Sequence, residues 1–291
     1  MLTDDYNNEL IALISLLDEP DGQIYGKVRE KISSYGTEAI RPLEAAWDNS
    51  FDSLIQKRIE DIIHEIQFDN LIFEFNKWRH YQFNDLLKGF MLVAKYQYPD
   101  LIEKTITDKM GQIIQDVWLE LNKNLTPLEN VKVINHILFD VHEFAANKAN
   151  INSPQNSYIN TIFETKKANP ISLSIIYLVI AQSLKIPVYG INLPQNFIMA
   201  YADTMIEPGT RITRSNIRFY INAFNRGAVF TKREVELFIK QINLKEEDSY
   251  FLPCDNVAII RRVLNNLIFA YENLGITEKV SEFRKILTSL D

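Results

Sequence analysis

One cysteine, Cys254, occurs among 291 residues. A lone thiol rules out an intrachain disulfide, leaves no zinc-binding cysteine pattern, and fits a reducing cytoplasm. Histidine is almost as scarce. The four are His64, His80, His136 and His142, so no imidazole follows residue 142. No Gly-rich phosphate loop is present, and no cofactor is implied. No apolar run reaches the roughly 20 residues that span a bilayer. The opening residues, MLTDDYNNEL, carry acids where a secretory signal would be basic. Basic residues are outnumbered, 31 against 38 acidic, for a net charge of −7. That balance argues against a nucleic-acid partner, and nothing suggests a membrane partner. Oligomeric state leaves no signal in the sequence.

The first half has the periodicity of helices. Leu10, Ile11, Leu13, Ile14 and Leu17 share a face, DEPDG at 18–22 makes a turn, and Gly36 marks a stop. Residues 22–47 resemble one HEAT-type hairpin. Leu54, Ile55, Ile59, Ile62, Ile63 and Ile66 continue at helical spacing toward Trp78. Thr126-Pro127-Leu128-Glu129 is a capping box with proline at the first helical position, and Thr231 to Glu234 forms a second box. Residues 145–155 are a polar connection without periodicity. The alternation of Ile217, Phe219 and Ile221 with Arg218, Tyr220 and Asn222 predicts a strand. NLIFAYENLG near the end resembles one tetratricopeptide-type hairpin turning at Gly275.

The organising stretch is 169–194, NPISLSIIYLVIAQSLKIPVYGINLP. Ten of the fourteen residues from Ile171 to Leu184 are apolar and none is charged, which predicts a helix buried on all sides. Asn169 followed by Pro170 reads as an N-cap with proline at N1. This region is similar to the SirB family of transglutaminase-like proteins. The matching residues are Asn156, Ser157, Tyr158, Pro170, Ile171, Ser172, Leu173, Ser174, Gly190, Pro194 and Phe197. Two later segments also resemble it: FYINAFNRGAVFT at 219–231 and IIRRVLNNLIFAY at 259–271.

The resemblance implies an α+β, mostly helical fold: a transglutaminase/papain-like core of a buried helix on a small antiparallel sheet. It divides the chain into a helical N-terminal region (1–125), the core (126–245) and a C-terminal helical hairpin (246–291). In that fold a cysteine stands at the start of the buried helix, with a histidine and an Asp or Asn on neighbouring strands. Here the three positions fall on Pro170, Asn196 and Asn222. Proline offers no nucleophile and asparagine no base, so a triad chemistry is not expected, and fold alone implies no activity. Asn169, Ser172, Ser174 and Tyr220 are candidate pocket residues. The two serines read more simply as local hydrogen-bonders in a first turn, and the pair His136/Asp140 falls short of a metal site.

One stretch reverses the overall charge. From Pro208 to Arg233 there are six basic residues, among them Arg211, Arg214, Arg218 and Arg226, and no acid. This is either a solvated edge balancing nearby acids or a surface for an acidic protein or peptide. The expected function is a non-catalytic interaction or regulatory protein. The alternative is an atypical hydrolase or amide-transfer enzyme using residues near the start of the central helix.

Overall fold

The computed structural model of the chain describes residues 4–205 and 212–291. Its helices and strands run in the order α1 (Asp4–Ile14), α2 (Gly22–Ser33), α3 (Ile40–Asn49), α4 (Ser53–Lys77), α5 (Leu86–Gln97), α6 (Glu103–Glu120), α7 (Pro127–Asn135), β1 (Ala145–Ala146), α8 (Ile159–Thr165), β2 (Lys167–Ala168), α9 (Pro170–Ser183), β3 (Val188–Ile191), β4 (Ile198–Ala202), β5 (Ile217–Asn222), β6 (Ala228–Phe230), α10 (Lys232–Gln241), α11 (Asn256–Asn273) and α12 (Thr277–Ser289). The chain divides into two compact units, Met1–Glu74 and Phe75–Asp291. No described helix is long and apolar enough to cross a membrane.

The first unit is all helical. Leu10, Leu17, Val28, Ile32, Ala39 and Leu43 meet Ile59, Ile62 and Ile66 of α4 in its core. Arg58 stacks over the Tyr25 ring at 4.0 Å and donates to the Leu17 and Glu19 carbonyls at 2.7 and 2.8 Å. Those carbonyls lie in the connection between α1 and α2, so the guanidinium fixes that connection against α4. Ile11 and Leu54, grouped by spacing with the apolar faces, are exposed instead.

The second unit is built on α9. Every residue from Ile171 to Ala181 is buried. β-Branched Ile175, Ile176, Val179 and Ile180 each cost the helix a few tenths of a kcal/mol in intrinsic propensity. Complete burial of such a side chain contributes about 1.5–3 kcal/mol, so packing decides the conformation. The Asn169 carboxamide accepts the Ser172 N–H at 3.0 Å, which, with Pro170 at N1, sets the helix start as the sequence predicts. α9 packs against α5, α6 and α11 and against strands β3 and β4.

The sheet is antiparallel throughout, in the order β3-β4-β5-β6. All five residues of β4 are buried, so its two faces are both covered. Ile198 and Ala200 join Ile191, Tyr220, Val235, Ile239 and Phe251 in a core that includes α10. Met199 and Tyr201 alternate to the other side, as the strand period requires. A second, minimal pairing lies in the stretch that reads as a structureless connection: Ala145 and Ala146 pair in parallel with Lys167 and Ala168. Two residues are too few to leave a periodic signature.

The end of α4 passes into a π-turn, Trp78–Gln82, and α7 into another, His136–Val141. Trp78 is fully buried and its Nε1 donates to the Asp85 carbonyl at 2.8 Å. A Cβ at Gly89 of α5 would lie 2.5 Å from the Trp78 ring, whereas one at Gly111 of α6 would meet nothing within 4 Å. Two glycine-to-alanine changes in helix interiors should therefore act in opposite directions. Gly89→Ala is expected to destabilise by about 1–3 kcal/mol through overpacking. Gly111→Ala should stabilise by up to about 1 kcal/mol through helix propensity. Urea denaturation of the two variants measures both, and equal effects would contradict the packing described.

Candidate functional site

The start of α9 opens onto a cleft of ≈ 130 Å³. Asn169, Pro170 and Ile171 form one wall, and Gln195, Asn196 and Phe197, in the turn before β4, form a second. Residues 151–153 with Ser157 close a third side. The fourth belongs to α11, which contributes Arg262, Asn266, Phe269 and Ala270. Those four stand at i, i+4, i+7 and i+8, one face of a helix.

A network of neutral side chains holds this arrangement. Asn169 donates to the Ser157 hydroxyl at 3.2 Å. The neighbouring Asn156 is buried, accepts from Asn147 at 2.9 Å, and donates to the carbonyls of Asn150 and Ile151 at 2.7 and 3.0 Å. Tyr158 meets the Tyr271 hydroxyl at 2.9 Å, which ties this segment to α11. Burial drives the Tyr158 hydroxyl far above the ordinary tyrosine range. The triplet Asn156-Ser157-Tyr158 is thus a joint between the cleft wall and two helices. Gly190 has a related task. A Cβ there would come within 2.8 Å of the Phe197 ring, so only glycine lets Phe197 seat against β3.

The residues singled out in the sequence divide into groups. Pro170, Asn196 and Asn169 meet at the cleft. Asn222, at the end of β5, does not line it; its carboxamide accepts the Asn225 N–H at 3.3 Å and caps a turn. Tyr220 does not line it either. It sits in the core shared with α10, donates to the Phe251 carbonyl at 3.2 Å, and has its pKa pushed up to about 12 by burial. Ser174 donates to the Pro170 carbonyl at 2.9 Å, the local role expected of it. The Ser172 hydroxyl differs from that expectation, being fully buried with no hydrogen-bond partner among the described residues. Sequence reasoning did not single out Arg262, Asn266 and Phe269 as site residues. The helical spacing within IIRRVLNNLIFAY is the signal that could have found them.

Cys254 and the four histidines lie away from this cleft. Cys254 donates to the Gly190 carbonyl at 3.3 Å, and burial pushes its thiol up to about 12, with Asp255 adding to the shift. His142 pairs with Asp116 at 2.7 Å and His136 with Asp140 at 3.2 Å. His80 contacts the Asn76 carbonyl at 2.8 Å. None of the histidines lines the cleft. Among the described residues no group of three or more His, Cys, Asp or Glu is placed to hold a metal ion.

The arginine-rich stretch carries its own counter-ions. Arg214 pairs with Glu246 and Asp248 and stacks 4.0 Å over the Phe251 ring. Arg218 pairs with Asp203 at 2.7 Å, and Arg226 pairs with Asp140. Arg211 lies outside the described residues. An acidic partner on this surface would have to displace carboxylates already in place.

The family model described as the transglutaminase-like superfamily matches residues 104–265, more than half of the chain. Two UPF0162 proteins of Xylella fastidiosa, from strains Temecula1 and 9a5c, are 30% and 26% identical over 195 residues. Each match covers 65% of this chain and 65% of the relative, so the chain spans just under two thirds of those proteins. F-box only protein 21 of Mus musculus is 25% identical over 188 residues, which is 64% of this chain and 28% of that protein. No solved structure gives a significant match. With a buried helix capped at Asn169, an antiparallel sheet against it and a family match from 104 to 265, this chain belongs to the transglutaminase-like superfamily.

Proposed function

We propose that this chain is a non-catalytic transglutaminase-like protein of the SirB type, an interaction or regulatory module that holds a protein or peptide partner in the cleft at the start of α9. One observation supports this above the others. The cleft gathers asparagine, glutamine, serine and apolar side chains around Pro170 and Asn196, and among the described residues Arg262 is the single ionisable group lining it. An arginine stays protonated at all physiological pH values and cannot serve as a general base. The same donors and acceptors suit recognition of a polar ligand by hydrogen bonds in a partly apolar site. In this proposal the core of 126–245 does not act alone, because Arg262 and Asn266 come from the C-terminal region 246–291.

Chemistry by an unrecognised set of residues is the competing reading, and an assay separates the two. The purified chain is incubated with glutamine-donor proteins plus a primary amine, and separately with peptide substrates, alongside Asn196→Ala and Asn222→Ala. No turnover above background is expected in any of the three. Turnover that disappears in either variant would establish an enzyme.

Cys254 should behave as an inert thiol. At pH 8.5 its reaction with iodoacetamide in the folded chain is expected to be roughly a hundredfold or more slower than in urea, because burial keeps it protonated. The sign for stability follows from the raised value. Its contribution is complete below the ordinary thiol pKa and is lost as pH rises from there toward about 12. Equal alkylation rates folded and unfolded would show Cys254 to be reactive.

A further inference from the structure

The cleft contains a cation with no carboxylate partner among the described residues. Arg214, Arg218, Arg226, Arg261 and Arg284 each meet a carboxylate. Arg262 instead donates from Nη1 to the neutral carboxamide oxygen of Asn192 at 3.0 Å. It is half-buried, and no described residue lining the cleft is acidic. Loss of solvent pulls its pKa below the ordinary arginine value, the mark of a charge without a compensating anion.

A main-chain donor at the same place is also unclaimed. In the first turn of α9, Asn169 accepts the Ser172 N–H through its side chain and the Leu173 N–H through its carbonyl. Pro170 has no N–H. The remaining donor is the N–H of Ile171, a residue 1% exposed that lines the cleft and whose N–H has no acceptor among the described residues. Buried main-chain donors are nearly always paired, so this one is open to an acceptor from solvent or from a ligand in the cleft. The positive end of the α9 dipole favours a negative one. One cation and one amide match a single negative charge in a planar group, which suits a carboxylate better than a phosphate dianion. Beside them, Phe197, Phe269 and Ala270 give an apolar flank, and a volume of ≈ 130 Å³ leaves room for about one small residue.

We propose that this cleft binds the C-terminal carboxylate of a polypeptide ending in a small apolar residue. Arg262 pairs with the carboxylate, Ile171 donates its N–H to it, and Phe269 with Ala270 covers the terminal side chain. This deepens, and rests on, the non-catalytic reading of the same cleft.

The full chain is titrated with a pool of acetylated tripeptides ending in Ala, Val, Leu or Phe, as free acids and as C-terminal amides, and with acetate and inorganic phosphate. The ¹⁵N shifts of the Ile171 amide and Arg262 Nε report on the cleft. Free acids should move both signals and bind roughly tenfold or more tightly than the amides, with Ala and Val ahead of Phe. Arg262→Gln should remove the difference between acid and amide. Asn266→Asp, which sets a carboxylate on the cleft wall beside Arg262, should do the same with the remaining spectrum unchanged. Equal binding of acids and amides, or no binding of either, overturns the proposal. Phosphate binding as tight as the best peptide also overturns it, by reducing the cleft to a general anion site. Mass spectrometry of the recovered peptides keeps the two claims apart. Cleaved or amine-linked peptide contradicts the non-catalytic reading, and intact peptide that fails to bind contradicts only the carboxylate proposal.

Discussion

Burial of α9 on every side is the constraint from which the rest of the second unit follows. A helix with eleven consecutive buried residues has no solvent face, so other elements must cover it all round. Helices α5, α6 and α11 do so on one part of its circumference and β3 and β4 on another. Because the helix is enclosed, its first turn is also enclosed. Backbone groups there cannot rely on bulk water, and each needs a partner from the protein or from a ligand. Asn169 supplies one such partner through its side chain, proline removes the need for another, and Ile171 is left at the cleft.

That enclosed first turn is where the superfamily's fold would place a nucleophile, since a helix N-terminus in a dry setting lowers the pKa of a thiol. In this chain that turn carries Pro170. Pro170 makes the helix start rigid and contributes no side-chain chemistry. Asn196 uses its carboxamide oxygen to accept the Phe197 N–H at 2.9 Å, and Asn222 caps a turn away from the cleft. The hydrogen-bond network of Asn147, Asn156, Ser157 and Asn169 contains only neutral groups. It positions the walls of the cleft. Preorganised walls of this kind lower the ordering cost of binding a ligand.

Much of this was readable from residue pattern. The boundaries of α9, the capping box at Thr126 and the complete burial of Ile171 to Ala181 follow from cap chemistry and apolar density, which are local signals, whereas the antiparallel sheet was implied by the family resemblance. Pro170 and Asn196 both line the cleft. What was not legible depends on tertiary placement. Strand alternation does not reveal that Tyr220 turns toward α10, away from the cleft, since both faces of the sheet are covered. The parallel pairing of Ala145 with Lys167 has too few residues to make a pattern. The contribution of α11 was hidden for another reason. Arg262, Asn266 and Phe269 read as parts of an ordinary amphipathic helix until that helix is seen to pack beside the start of α9.

Native-state hydrogen exchange, resolved by residue, tests most directly whether α9 is the element on which the second unit depends. The account predicts that the amides of Ile175 to Ile180 are the slowest in Phe75–Asp291 and exchange only through global unfolding of that unit, with the denaturant dependence of the full transition. Amides of α10, where two residues of ten are buried, should open at lower free energy. Exchange of α9 at the rate of α10, or by a small local opening insensitive to denaturant, would contradict the claim that its burial holds the fold and the cleft in place.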